Sequence, residues 1–231
     1  MLLAMLAAGS VHAEPLIVLV DTSTEMPLAD FRRGQLVRGI TKDLAEALAQ
    51  KMGRRLELMV LPRKRIAMAL DSGQGDMLCL YLPEWLPGQY QWTQPFFPQA
   101  ELLLTALSAP PTQSLEELVG RRVGTVLGYR YPEFEHVLGA GFLRDDAPTN
   151  LINLRKLAAG RVQYAATIKS HYDYQLKLGE QIRTHPPLFI KQYLTRCALS
   201  HKGHVSLAEA DAAITQLLHE GVINKIITNY Q

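Results

Sequence analysis

Two cysteines, Cys79 and Cys197, are all this chain of 231 residues contains. That is too few for a disulfide-dense scaffold, and the spacing is not the C-x-x-C of a zinc or redox site. No apolar stretch approaches the roughly 20 residues that span a bilayer, so a permanent membrane anchor is not expected. Charge of neither sign dominates, with 24 Lys+Arg against 22 Asp+Glu. The basic pairs Arg32-Arg33, Arg54-Arg55 and Arg121-Arg122 are scattered rather than gathered into a stripe, which argues against nucleic acid as a partner. Low-complexity tracts are missing, as are a G-x-S-x-G nucleophile motif and a glycine-rich phosphate loop. His201 with His204, and Glu133 with His136 at Glu-x-x-His spacing, lack the further ligands a structural zinc needs. No enzymatic activity, cofactor or metal is therefore expected.

What is there is an ordinary globule: 48% apolar and 20% charged residues, over a length that suits a two-lobed body or one large α/β domain. Residues 1–13 (MLLAMLAAGSVHA) form a short apolar run ending in small residues around an A-x-A-like cleavage site. They read as a secretory signal peptide, which implies a periplasmic mature chain beginning near Glu14. No basic residue precedes that run.

Leu16–Val20 (LIVLV) is a continuous apolar run of the kind a strand buried on both faces shows. Ile40, Leu44, Ala47, Leu48 and Met52 follow helical spacing, and Gly53 stands at the C-cap. A strand at 56–61, a helix at 63–71 and a strand at 76–80 follow, which predicts a right-handed, mostly parallel sheet. Periodicity stops between Tyr81 and Phe97. A strand then leads from Glu101 to Leu107 and the boundary Ala109-Pro110-Pro111. Ser114 with Glu117 makes a capping box for a short helix, and Arg122–Leu127 opens a second α/β unit. That unit continues with helices at 131–138 and 151–159, a strand at 163–168 and a helix at 171–177. Tyr193–Ser200 is a further strand, and Ser206 with Glu209 caps a last long helix.

The run of Gly39-Ile40-Thr41-Lys42-Asp43-Leu44, Leu70-Asp71-Ser72-Gly73-Gln74-Gly75-Asp76, Thr93-Gln94-Pro95-Phe96, Ser114 to Gly124, Leu157 to Val162 and Gly221 to Ile226 resembles the bacterial extracellular solute-binding proteins of family 3. The resemblance covers the whole mature chain. It implies an α/β, type II periplasmic-binding-protein fold: two doubly wound lobes with a ligand cleft between them. Lobe 1 is expected from 14–108 and 193–231, and lobe 2 from the inserted 109–192. It further implies a monomer that captures a small-molecule ligand for an ABC permease. Alternatives on the same scaffold are a receptor subunit for a membrane sensor kinase and a dehydratase-like enzyme, for which Glu84 is the available acid. An export signal and the lack of a helix-turn-helix speak against a LysR-type regulator.

The family's amino-acid binders hold the α-carboxylate with an arginine in a Thr-x-x-Arg stretch, where this chain reads Tyr81-Leu82-Pro83-Glu84-Trp85-Leu86-Pro87-Gly88-Gln89. The acidic residue that meets the α-ammonium falls at Ile168-Lys169. Without either counter-charge an ordinary α-amino acid would be desolvated without compensation. The matching loops supply Tyr81, Glu84 and Trp85 from lobe 1, Gly128, Tyr129, Arg130 and Tyr131 from lobe 2, and Arg65 and Lys169 beside them. Rings and cations of this kind suit a small polar ligand, anionic or aromatic. Against these roles, Trp85 and Trp92 can cover a lobe edge, Tyr131 can staple the next helix, and Arg65 can face solvent. An oxidising periplasm would permit a Cys79–Cys197 bridge, but the fold is expected to set them on neighbouring parallel strands, which seldom offer disulfide geometry, so two buried thiols are the expectation.

Overall fold

The computed structural model describes residues 14–230; the expected signal peptide lies outside the described residues. In chain order the elements are β1 (Leu16–Asp21), a small hairpin β2 (Asp30–Arg32) and β3 (Gln35–Arg38), α1 (Ile40–Lys51), β4 (Leu56–Leu61), α2 (Arg63–Ser72), β5 (Met77–Tyr81), β6 (Gln91–Trp92) and β7 (Phe97–Thr105). They continue with β8 (Arg122–Val126), α3 (Pro132–Leu138), β9 (Leu143–Ala147), α4 (Asn150–Ala158), β10 (Tyr164–Ile168), α5 (Lys169–Lys177), β11 (Leu188–Leu199), α6 (Leu207–His219) and α7 (Val222–Tyr230).

The strands order as β4-β1-β5-β11-β7-β10-β8-β9. At one end β4, β1 and β5 run parallel, and at the other β10, β8 and β9 do. Each trio is the parallel sheet of one lobe. Between them β7 and β11 are antiparallel to each other, β11 is antiparallel to β5, and β7 to β10. The expected mostly parallel sheet thus holds within each lobe and reverses at the two long crossing strands. β11 spans the junction: Leu188–Thr195 pairs with β7, and Arg196–Leu199 pairs with β5, with a register shift between Arg196 and Cys197.

That reversal explains the cysteines. Cys79 and Cys197 are bridged rather than free. The expectation of two thiols assumed parallel neighbours, whereas β11 sets Cys197 directly opposite Cys79 on an antiparallel partner, Cα atoms 3.9 Å apart.

Each lobe is built around its own core. In lobe 1, Ile40, Leu44 and Leu48 of α1 recur at i, i+4 and i+8 and pack with Leu16, Val18 and Met77 of the sheet and Ala210, Ile214 and Leu217 of α6. Burying one such Leu or Ile contributes about 1.5–3 kcal/mol. α1 begins at Gly39, whose φ of 125° and close approach to the Leu28 carbonyl oxygen, 2.5 Å from where a Cβ would lie, admit no side chain. Lobe 2 packs Leu118, Val123, Phe134 and Ala166 on one sheet face, and on the other Leu154 and Leu157 against Leu102 and Leu104 of the crossing strand β7. The Ser206 hydroxyl accepts from Glu209 N–H at 3.2 Å and caps α6 as the sequence predicts. Ser114 caps nothing, and its predicted helix is a single 3-10 turn, Leu115–Leu118.

Candidate functional site

Parallel strands aim their carboxyl ends the same way, so the residues following β1, β4 and β5 gather at one edge of lobe 1. That edge faces lobe 2 across a cavity of about 100 Å3. Lobe 1 lines it with Thr24, Arg63, Tyr81, Glu84 and Trp85, lobe 2 with Tyr129, Arg130, Tyr131 and Glu133, and the crossing strands with Glu101, Lys191 and Tyr193. A more open groove of about 700 Å3 lies against Phe97, Lys169, Phe189 and Ile227. The smaller cavity is the candidate site, because strand carboxyl ends and both lobes converge there.

The wall from lobe 1 is aromatic. Tyr81 follows Leu80, a non-glycine residue held at φ 65°. This conformation costs about 1 kcal/mol and accompanies the turn of the chain out of β5. Trp85 sits in the short 3-10 turn Pro83–Trp85, edge-on to Tyr81 with ring centroids 6.3 Å apart and to Tyr193 at 5.5 Å. The Tyr81 hydroxyl donates to Asp21 at 2.9 Å. Burial, then the Asp21 charge, pushes that phenol far above its usual range.

Arg63 is the cation the sequence reading missed. It is the first residue of α2, and its guanidinium lies 5.7 Å from the Tyr81 ring centroid and 5.6 Å from that of Tyr129, with Asp21 Oδ2 at 3.6 Å. One arginine thus stands between an aromatic ring of each lobe. Arg65, two residues on, is exposed and outside the cavity lining, because Ile66, Ala69 and Leu70 turn the opposite face of α2 inward.

From lobe 2, Gly128 takes the positive φ of 80° that turns the chain into the cleft, but it is not itself part of the lining. Burial raises the Tyr129 phenol. Arg130 is bound to Glu135 at 2.8 Å and is largely exposed. Tyr131 is 4% exposed, accepts Val126 N–H at 2.8 Å and packs against Phe134 and Phe142, so it anchors α3 as well as lining the cleft. Lys169 lines the open groove rather than the cavity and pairs with Asp173 one turn along α5.

On the floor, Glu101 of β7 and Lys191 of β11 are register partners. Lys191 Nζ donates to Glu133 Oε1 at 2.7 Å. The carboxyl of Glu101 is raised to about 7, by burial first and then by the neighbouring Glu133 charge. Thr167, 2% exposed, also lines the floor, and its hydroxyl has no hydrogen-bond partner.

Glu25 and His171 are among the side chains that tie the lobes together. Glu25 Oε2 accepts the backbone N–H of Asn150 at 2.6 Å and its side-chain amide at 3.3 Å. A carboxylate from lobe 1 thereby caps α4 in lobe 2, where the helix dipole favours negative charge. His171 of α5 is buried, and Nδ1–H donates to the Met26 carbonyl at 3.0 Å. Burial lowers its tendency to protonate.

Among the described residues no group of three or more His, Cys, Asp or Glu side chains is placed to hold a metal ion, and no helix is long and apolar enough to cross a membrane.

No protein-family model and no curated protein sequence matches the chain. Solved structures do. A histidine kinase sensor domain with similarity to periplasmic binding proteins superposes with a TM-score of 0.75 at 22% identity, covering 94% of this chain and 95% of its own. An ancestral arginine-binding protein bound to arginine gives a TM-score of 0.72 at 22% identity, over 95% of this chain and 98% of its own. The ancestral amino-acid-binding protein AncCDT-1, a precursor of cyclohexadienyl dehydratase, gives 0.73 at 18% identity, over 94% and 95%. The chain has the two-lobed α/β fold that these amino-acid-binding proteins and sensor domains share.

Proposed function

We propose that this chain is a periplasmic solute-binding protein whose lobes, residues 14–108 with 193–231 and residues 109–192, close on a small polar ligand and present it to an ABC permease. The observation that carries the reading is the cavity at the strand carboxyl ends, lined from both lobes and from both crossing strands. A guest there touches everything that moves when the lobes rotate, so its binding energy is spent on closure. Tyr81, Trp85, Tyr129 and Tyr193 supply faces for a ring or an alkyl chain, and Arg63 and Thr167 supply donors. Binding rather than catalysis is the function proposed. Residues 1–13 are proposed as the export signal.

The second reading is a ligand-sensing subunit, which the superposition on a histidine kinase sensor domain favours. Both readings require the same cleft and differ only in what reads the closed form.

The test is mass spectrometry of small molecules released from the purified native protein, followed by a thermal-shift titration with each. A true ligand at 100 times its dissociation constant stabilises the native state by about 2.7 kcal/mol. Stabilisation that survives both Trp85→Ala and Tyr129→Ala would place the site elsewhere and defeat the proposal.

A further inference from the structure

The cations of the cleft are all occupied by the protein's own carboxylates. Arg63 stands 3.6 Å from Asp21, Arg130 is bonded to Glu135 at 2.8 Å, and Lys191 to Glu133 at 2.7 Å. Among the described residues, that leaves Glu84 and Glu101 as the cavity-lining charges without an ion-pair or hydrogen-bond partner. Both lie near the same end of the cleft, close enough to Lys191 and to the Tyr193 hydroxyl to act on each electrostatically. Trp85 and Tyr193, ring centroids 5.5 Å apart, form the wall there. Carboxylates beside aromatic faces make an environment that favours positive charge.

We propose that the ligand carries a cationic group, an ammonium or guanidinium, which sits at the Glu84–Glu101 end of the cleft against Trp85 and Tyr193. This rests on the cleft being the ligand site, and it reverses the anionic expectation drawn from Arg65, Arg130 and Lys169. Two of those cations lie outside the cavity and the third is paired. An anion at this end would meet Glu84, Glu101 and Glu133 with only Lys191 in compensation, whereas a cation supplies the partner that Glu101 lacks.

A pH dependence follows. Glu133 from α3, Lys191 and Tyr193 from β11 and Tyr131 ahead of α3 act on Glu101 electrostatically, and Glu84 from the 3-10 turn and His171 from α5 line the same cavity. Burial, and after it the neighbouring Glu133 charge, holds it partly protonated near neutral pH, and a bound cation favours the ionised form. Affinity for a cation is therefore full above pH 7 and falls as Glu101 takes up its proton, by about tenfold between pH 8 and pH 6.

The experiment is isothermal titration of the mature chain at pH 8 with matched probes differing in charge: benzylammonium, benzyl alcohol and benzoate, together with methylguanidinium and N-methylurea. At least one cation is expected to bind at least tenfold more tightly than its neutral counterpart. Glu101→Gln and Glu84→Gln are each expected to weaken that cation tenfold or more, and Glu101→Gln also to flatten the pH profile. A neutral or anionic probe binding as tightly as its matched cation, or no cation binding at all, overturns the charge assignment. Cation binding that persists in both Trp85→Ala and Tyr129→Ala overturns instead the cleft reading on which it rests. Loss of a neutral or anionic probe in those variants keeps the cleft and rejects the cation.

Discussion

Removing the Cys79–Cys197 bridge perturbs the fold at the point where the chain returns to lobe 1 after completing lobe 2. The bond closes a loop of 118 residues that contains the whole inserted lobe. In the chain-entropy treatment a loop of that length restricts the unfolded chain by about 5 kcal/mol at 25 °C. Cys197 is fully buried and Cys79 is 6% exposed, so replacing both by Ala removes two sulfurs from the lobe 1 core and adds a smaller packing loss to the entropic one. The assay is urea unfolding of the oxidised wild type and of Cys79→Ala/Cys197→Ala, followed by circular dichroism and by Trp fluorescence. With a slope of about 2–3 kcal/mol per molar urea, the midpoint is expected to fall by roughly 2 M. The antiparallel pairing of β5 with β11 continues on both sides of the bridge, so ligand affinity is expected to stay within about threefold under native conditions. A midpoint shift below about 0.3 M would refute the reasoning, because it would mean the bond restrains no long loop.

Three further outcomes are expected. Asp76 is 1% exposed and accepts Ile17 N–H at 2.7 Å and His204 N–H at 2.6 Å; Asp76→Ala leaves both donors unmet and should cost about 3 kcal/mol in urea unfolding, with Asp76→Asn recovering part of it. Glu101 titrates near 7 in the fold against 4.5 as its ordinary value, so its contribution is fully present below pH 4.5 and is lost as pH rises through 7. Wild-type stability should fall by up to about 3 kcal/mol over that window relative to Glu101→Gln, measured by urea midpoints at pH 5 and pH 8; parallel pH profiles would contradict it. Glu25→Ala removes a charge-assisted clasp on α4 worth about 1–2 kcal/mol, shifting the closed-to-open ratio roughly 5- to 30-fold. Small-angle scattering should then report a larger radius of gyration without ligand and no change in unfolding slope.

The sequence was most legible where one segment decides its own structure. β1 is a bare apolar run and α1 a clean stripe closed by Gly53, and both stand where periodicity predicts. β9 was illegible because Leu143–Ala147 (LRDDA) is a charged edge strand, held by Arg144 and Asp146 bonding to each other and by Asp146 bonding to Thr125. The crossing strands showed in the sequence as apolar runs but not as antiparallel ones, and the disulfide went unread with their direction. Within the candidate site, Tyr81, Trp85 and Tyr129 were legible because they sit at or just past the end of an apolar strand. Arg63 was not, since three basic residues follow Pro62 and only the position of α2 decides which one overhangs Tyr81. Glu101 and Lys191 are 90 positions apart in sequence and become neighbours only through β7–β11 pairing.

Hydrogen–deuterium exchange with and without the stabilising compound from the thermal screen is the most direct examination of a guest gripped from both sides. Slowed exchange is expected together in residues 24–28, 80–85, 129–133 and 167–171 and along 191–193. Protection confined to one lobe, or to the open groove around Phe189 and Ile227, would contradict the account.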